Sequence, residues 1–339
     1  MKVTIKDVAK KVGVSIATVS LVLHGNQRIS PETRKKVLKA IEELGYRPSQ
    51  LARGLVMRRT GNIGFVLTED HFLRTEPFYT RIFLGAEFGA RDSDFFILLA
   101  TIPSNFAADD LMPRFILQEN VDGLIVAGKV PDIFLERLEA YHLPTVFVDY
   151  YPPQGDASAV LIDNVDGAEQ AMRHLIELGH RKIAFIGGDP EHPSIRDRYM
   201  GYRMALEKAG LPFTTELVIT DEQATGKKSG YRAVCRLLEK NVEFTALFAC
   251  NDAMAIGAME CLKKRGIKIP EQVSIVGFDD IETDAFLDPP LTTISVPKYD
   301  MGIEAMRLVQ ELMGGESQKN KKILVPVKFV KRSSTAAVR

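Results

Sequence analysis

From Asn62 onward the sequence sets short apolar runs against longer stretches with helical spacing, and it does so twice. Residues 63–67, 95–99, 123–126 and 145–148 read as strands buried on both faces, with helix spacing in 79–91, 107–119 and 132–140. A second series places apolar runs at 182–186, 217–219, 246–249 and 273–276, again with helical stretches between. Parallel strands need crossovers, and strands buried on both faces need helices on both sides. The alternation therefore predicts two successive doubly wound α/β subdomains with a cleft between them. In such folds ligands bind at the carboxyl ends of strands.

The first sixty residues do not follow this plan. They hold 13 Lys and Arg against 4 Asp and Glu, while the remaining chain holds 31 against 40. A formal charge of zero is thus the sum of a +9 head and a −9 body. A compact basic head points to a polyanionic partner.

Three helix starts are legible in that head. Thr4 and Asp7 form a capping box, with Val3 and Val8 at the flanking staple positions, and Gly13 stops the first helix. Ser15 caps a second helix, and Ser30-Pro31 opens a third whose apolar face is Val37, Leu38, Ile41 and Leu44. The short Gly-centred link between the first two is that of a helix-turn-helix unit. On the second helix Val19, Val22 and Leu23 face inward, which leaves Ile16, Ala17, Ser20, Leu21 and His24 outward. Outward Ile16 and Leu21 suit thymine methyl groups in a major groove, or else packing on a neighbouring domain. Thr18, Lys10, Lys11, Arg34 and Lys35 suit phosphate.

These residues carry a resemblance. The stretch from Thr4-Ile5-Lys6-Asp7-Val8-Ala9 through Gly13-Val14-Ser15, with Thr18-Val19-Ser20, resembles the opening of the LacI/GalR family of bacterial transcription regulators. Ile41-Glu42-Glu43-Leu44-Gly45-Tyr46-Arg47-Pro48-Ser49, followed by Ala52, Arg53 and Leu55, is similar to the rest of that family's headpiece. The resemblance implies a headpiece over 1–47, and a hinge helix and linker over 48–60. It also implies a periplasmic-binding-protein-like core whose chain crosses between subdomains near 162, 293 and 325. The amino-terminal subdomain would then comprise 61–161 and 294–324, and the carboxy-terminal one 162–293 and 325–339. The implied DNA contacts are Thr4, Ser15, Ile16, Ala17, Thr18, Ser20, Leu21, Arg34, Ala52 and Leu55. Leu55 stands at the family's minor-groove wedge. Two turns of hinge with Gly54 inside are too short to be a stable helix alone, which couples their folding to DNA binding.

At the expected strand ends lie Asp149, Arg198, Asn251 and Asp279. A guanidinium, an amide and two carboxylates around a cleft can bind adjacent hydroxyls. These four match positions at which sugar-responsive family members hold their effectors. Phe78 and Tyr79 fall where the family places stacking or apolar contacts, and His192 and Ser194 in a loop of polar ones, although His192 is not the usual residue there. Each has a plainer reading as well: Asn251 as a helix cap, Arg198 with Asp279 as a structural ion pair, Asp149 as a turn residue, Phe78 as core. The effector expected is a sugar or sugar derivative, with a nucleobase or other metabolite as the alternative.

The expectation is a homodimeric repressor on a pseudo-palindromic operator, without a cofactor or a metal. A sugar-handling α/β enzyme would need a phosphate-binding Gly loop or an activated nucleophile, and Ile186-Gly187-Gly188-Asp189 is neither. An exported binding protein fits poorly with the basic head and with a first segment unlike a signal peptide. Three cysteines without CxxC spacing suit a reducing cytoplasm. The absence of heptads after residue 332 favours a dimer over a coiled-coil tetramer. His174 and His180 show no metal spacing and read as surface residues.

Overall fold

The computed structural model describes residues 3–23, 28–46, 59–72, 77–152, 157–222, 224–315 and 320–338. The chain divides into two compact units, Met1–Gly61 and Asn62–Arg339. That division falls beside the boundary in charge.

The small unit holds α1 (Ile5–Val12), α2 (Ile16–Leu23) and α3 (Pro31–Leu44). The Asp7 carboxylate accepts from the Thr4 N–H at 2.8 Å and the Thr4 hydroxyl at 2.7 Å, which starts α1 and holds the Asp7 pKa below its ordinary value. Gly13, at φ 76°, ends α1 in the left-handed region. Ser15 Oγ accepts the Thr18 N–H at 3.0 Å, and Ser30 Oγ the Thr33 N–H at 3.2 Å, so both expected caps form. Val8, Ala9, Val19, Val22, Val37, Ala40 and Tyr46 make the core. Leu38 departs from the expected apolar face of α3. Ala40 is buried in its place, and Leu38 lies 49% exposed in a groove with Ile29, Pro31 and Lys35. The segment 47–58, with Ala52 and Leu55, lies outside the described residues, as does His24.

The large unit opens with β1 (Asn62–Thr68), α4 (Glu69–Phe72), α5 (Phe78–Arg91), β2 (Phe96–Ile102), α6 (Arg114–Leu117), β3 (Gly123–Ala127), α7 (Asp132–Glu139), β4 (Thr145–Val148) and β5 (Ser158–Ile162). It continues with α8 (Asn164–Glu177), β6 (Ile183–Gly188), α9 (Pro193–Lys208), β7 (Val218–Glu222), α10 (Lys227–Glu239), β8 (Ala246–Ala249), α11 (Asp252–Lys264) and β9 (Ser274–Val276). Last come β10 (Thr293–Ser295), α12 (Lys298–Gly314), β11 (Lys322–Val325) and β12 (Lys328–Val330).

Two parallel sheets result, in the orders β11-β5-β4-β3-β1-β2 and β7-β6-β8-β9. Each reverses strand order after its first strand, so crevices open beyond β1 and β3 and beyond β6 and β8. Strand β11 returns a late segment to the first sheet beside β5, while β10 and β12 form an antiparallel pair. Helix α12 packs on α5 at contact distance, because a Cβ on Gly85 would lie 2.0 Å from the Tyr299 carbonyl oxygen and one on Gly302 2.0 Å from that of Ile82.

Three further expectations change, in the large unit. Residues 107–119 hold only the one-turn α6, because Pro113 blocks helix before it and the Ala107–Asp110 turn uses the preceding backbone. Strand β2 is not buried on both faces: it is the sheet edge, with Phe96 56% and Leu99 39% exposed. His174 and His180 are not simple surface residues. His180 is buried between Thr245 and the Ala336 carbonyl, and His174 bonds Thr335, so both tie down the last described segment.

Candidate functional site

In the small unit the outward face of α2 is apolar and uncharged. Ile16 is 45% and Leu21 39% exposed, Ala17 is exposed, and Thr18 and Ser20 are half-buried beside them. Beneath, Val19 is fully buried and Val22 nearly so. The helix thus presents methyl groups on a fixed base. Thr4 is exposed and Arg34 half-buried, while Lys11 is tied to Glu43 at 2.6 Å, which braces α1 on α3.

In the large unit the cleft candidates form two linked groups. Asp149 follows β4 with φ 59° and is buried. Its Oδ2 accepts the Tyr79 hydroxyl at 2.9 Å, and its Oδ1 accepts the Ser194 hydroxyl at 3.2 Å. Tyr79 and Phe78 begin α5, edge to face at 5.1 Å, and both are buried. Gly128, at φ 75°, lets this group close up: a Cβ there would come within 2.5 Å of the His71 ring and 2.8 Å of the Tyr79 hydroxyl. The Ser194 bond joins the loop after the first sheet to α9 over the second.

The other group centres on Arg198, which lies in the second turn of α9 rather than at the end of a strand. The guanidinium donates from Nε to Asn164 Oδ1 at 2.8 Å, and from Nη1 to the Cys250 carbonyl at 2.6 Å and Asp279 Oδ1 at 3.2 Å. It also stacks on the Phe278 ring at 3.7 Å. Asp279 stands at φ 112° beyond β9, its N–H bonded to the Ile294 carbonyl.

Asn251 does not join either group. Its Oδ1 caps α11 through the Met254 N–H at 2.9 Å and its Nδ2 donates to the Thr225 carbonyl at 3.0 Å, so the capping reading is realised. His192 precedes α9, its ring 6.2 Å from that of Tyr150.

Known proteins match both units. Residues 4–49 match the bacterial regulatory proteins of the lacI family, and residues 172–335 match a periplasmic binding protein-like domain. The HTH-type transcriptional regulator RegA of Clostridium saccharobutylicum is 35% identical over 99% of this chain and 100% of its own length. The chain belongs to the lacI family. Among solved structures, a lac repressor dimer bound to operator and the anti-inducer ONPF aligns with a TM-score of 0.78 at 27% identity, over 99% of this chain and all of that one. The complex of the transcriptional regulator CelR with cellobiose aligns at 0.75 and 32%, over 98% of this chain and all of that one. This lacI-family member is accordingly a DNA-binding transcriptional regulator and not an enzyme. Among the described residues, no helix is long and apolar enough to cross a membrane.

The lacI-family member also carries site residues that sequence reading missed. Lys298, first in α12, sends Nζ to the Asp279, Asp280 and Val296 carbonyls and lies 5.6 Å from the centre of the Phe78 ring, so it fastens the Asp279 loop to the helix of the other sheet. Burial lowers its pKa, with Asp279 and three other carboxyls opposing. Its signal was position, a lysine directly after Pro297 where a helix begins. Asn164 was hidden because β5, which delivers it, was not read as a strand. Asp252 is fully buried, with Oδ1 accepting the Thr293 hydroxyl at 2.6 Å. It faces Asp284, whose Oδ2 accepts the Ile281 N–H at 2.9 Å. Burial first, then the Asp284 charge, raise Asp252 well above the carboxylate range; burial likewise brings Asp284 to about 6. One proton shared between them satisfies both.

Proposed function

We propose that this regulator is a cytoplasmic repressor that binds a pseudo-palindromic operator as a homodimer and answers to a sugar-like effector in its cleft. The observation that carries the reading is the α2 face. Exposed Ile16, Ala17 and Leu21 stand on a helix whose opposite side is buried, in a unit of strongly positive charge. This is a base-reading surface, with Thr4, Ser15, Thr18, Ser20 and Arg34 around it for phosphate and base edges. Ala52 and Leu55 would act from the hinge, Leu55 as the wedge at the operator centre.

Asp149, Arg198 and Asp279, with Tyr79 and Ser194 beside them, offer buried acceptors and a fixed donor of the kind that adjacent hydroxyls recognise. Phe78 would give an apolar wall, with His192 and Asn251 as the remaining candidates. The solved relative with cellobiose bound supports a sugar over a nucleobase. The two sheets would be the subdomains 61–161 with 294–324 and 162–293 with 325–339, and the Ser194–Asp149 bond is a contact that effector would exchange. An effector shifts DNA affinity only by its differential affinity for the two arrangements. Dimerisation would use the first sheet's edge, where Phe96 and Leu99 stand exposed on β2, with Leu84 and Phe88 on α5.

Selection of duplexes from a random pool with the full chain tests the reading. Enrichment of an inverted repeat is expected, and a sugar from a thermal-shift screen should change its affinity. Recovery of a single asymmetric half-site, or of no sequence, would overturn the dimeric operator reading.

A further inference from the structure

The chain has three cysteines, and two of them meet. Cys250 follows β8, buried with its thiol 3.5 Å from the Met254 sulfur. Cys235 in α10 and Cys261 in α11 bring their Sγ atoms to 2.7 Å. They are 26 residues apart in sequence, so helix packing is what joins them.

That packing is set by two glycines. A Cβ on Gly230 would lie 2.0 Å from the Met254 carbonyl oxygen, and one on Gly257 1.9 Å from that of Lys227 and 2.7 Å from the Tyr231 nitrogen. The two helix backbones therefore touch here. Side chains four residues apart share a helix face, so Cys235, one turn beyond Tyr231, and Cys261, one turn beyond Gly257, fall on the facing ridges. Neither thiol has a part in the DNA surface or in the cleft contacts.

We propose that Cys235 and Cys261 form a reversible dithiol–disulfide site whose oxidant is a hydroperoxide. The two sulfurs need close by less than an ångström to reach a bond of about 2.05 Å. Cys235, partly exposed, is the entry point. Cys261 is buried, and burial with the neighbouring thiol pushes it up to about 12, so it stays protonated while Cys235 reacts.

The chemistry balances in two steps. The Cys235 thiolate attacks the peroxide, an S–O bond forms as the O–O bond breaks, and the departing oxygen takes up the proton that the Cys235 thiol released and leaves as alcohol or, from hydrogen peroxide, as water. The Cys261 sulfur then attacks the Cys235 sulfenic acid. The S–S bond forms, the S–O bond breaks, and hydroxide leaves with the Cys261 proton as water. Two thiols are oxidised and one peroxide is reduced by two electrons. The product staples α10 to the helix that Asn251 caps.

The test uses the full chain, fully reduced, exposed to hydrogen peroxide, then unfolded, alkylated and mapped by peptide mass. Alkylation at Cys250 alone is expected, with a cross-linked peptide pair bearing Cys235 and Cys261 that separates on reduction, and with an upward, thiol-reversible shift in unfolding temperature. In Cys261→Ser the Cys235 sulfenic acid should persist and be captured by dimedone; in Cys235→Ser the remaining thiols should stay alkylatable. Three alkylatable thiols in the oxidised wild-type protein would overturn the proposal. So would over-oxidised Cys235 without a cross-link, a bond to Cys250, or a link found only between chains.

Discussion

Asp252 and Asp284 put two carboxyls in a space from which water is largely excluded, beside the Asp279 loop, and a proton held between them is the price of that arrangement. Folded carboxyls with raised pKa values bind protons that the unfolded chain has already released above its ordinary 3.8. Stability is therefore lost as pH rises from about 4 through 6 and on toward the higher Asp252 value. Asp284→Asn replaces the shared proton with an amide that can donate to Asp252 and still accept from Ile281. Thermal unfolding from pH 4 to 8 should show the variant pulling ahead as pH rises, on the order of 1–2 kcal/mol at pH 8. A gap that does not change with pH would remove the shared proton from the account. On the acid side the sign reverses. Burial lowers His174 and His180 below their ordinary 6.5, so the unfolded chain takes up protons first and stability falls as pH drops through that value. Arg198 makes a second residue-scale case, since its three bonds and its stacking on Phe278 need a planar fork. Arg198→Lys should cost at least tenfold in affinity for an activating sugar by calorimetry, about 1.4 kcal/mol, with basal operator affinity retained. Unchanged sugar affinity would move the pocket elsewhere.

Between elements, contact is decided by what side chains are absent. Gly85 and Gly302 let α5 and α12 meet backbone to backbone, and α12 in turn covers the first sheet. Gly85→Ala forces a methyl against the Tyr299 carbonyl, which backbone movement alone can relieve. A loss of about 1–3 kcal/mol in denaturant unfolding of the large unit is expected, against near neutrality for Gly226→Ser, where the space is open and the backbone extended at a helix N-cap. The same scale shows where sequence patterning worked. Strands β1, β3, β4, β6 and β8 are continuous apolar runs because both faces are covered, and Asp149 directly follows β4. Strands β5 and β11 escaped notice. In β11 only Val325 is buried, and the strand lies at the sheet margin where one face suffices. With β5 unread, Asn164 had no place beside Arg198. Lys298 and the Asp252–Asp284 pair were illegible for another reason: their partners lie far along the chain, at Asp279 for the lysine and across 32 residues for the acids, and no local period encodes such a meeting.

For the whole molecule, the neutral total conceals a division of labour. A +9 head gathers counterion-releasing contacts on DNA, and a −9 body is repelled by the same phosphates. Affinity for any duplex should therefore fall steeply with salt, with a slope set by the head alone, while sequence preference comes from α2 and from the hinge. In the proposed operator complex Leu55 would separate these contributions. An apolar wedge stabilises only a duplex that is being kinked, so it adds nothing where the protein rests on unkinked, random DNA. Leu55→Ala should weaken binding to the selected inverted repeat by about 1–3 kcal/mol, roughly tenfold to a hundredfold. Binding to random duplex, and the salt slope on it, should stay as in the parent protein. Fluorescence anisotropy on both duplexes across a salt series measures all of these together. Equal losses on the two duplexes would make Leu55 part of general adhesion or of headpiece folding, and specificity would then rest on the α2 face alone.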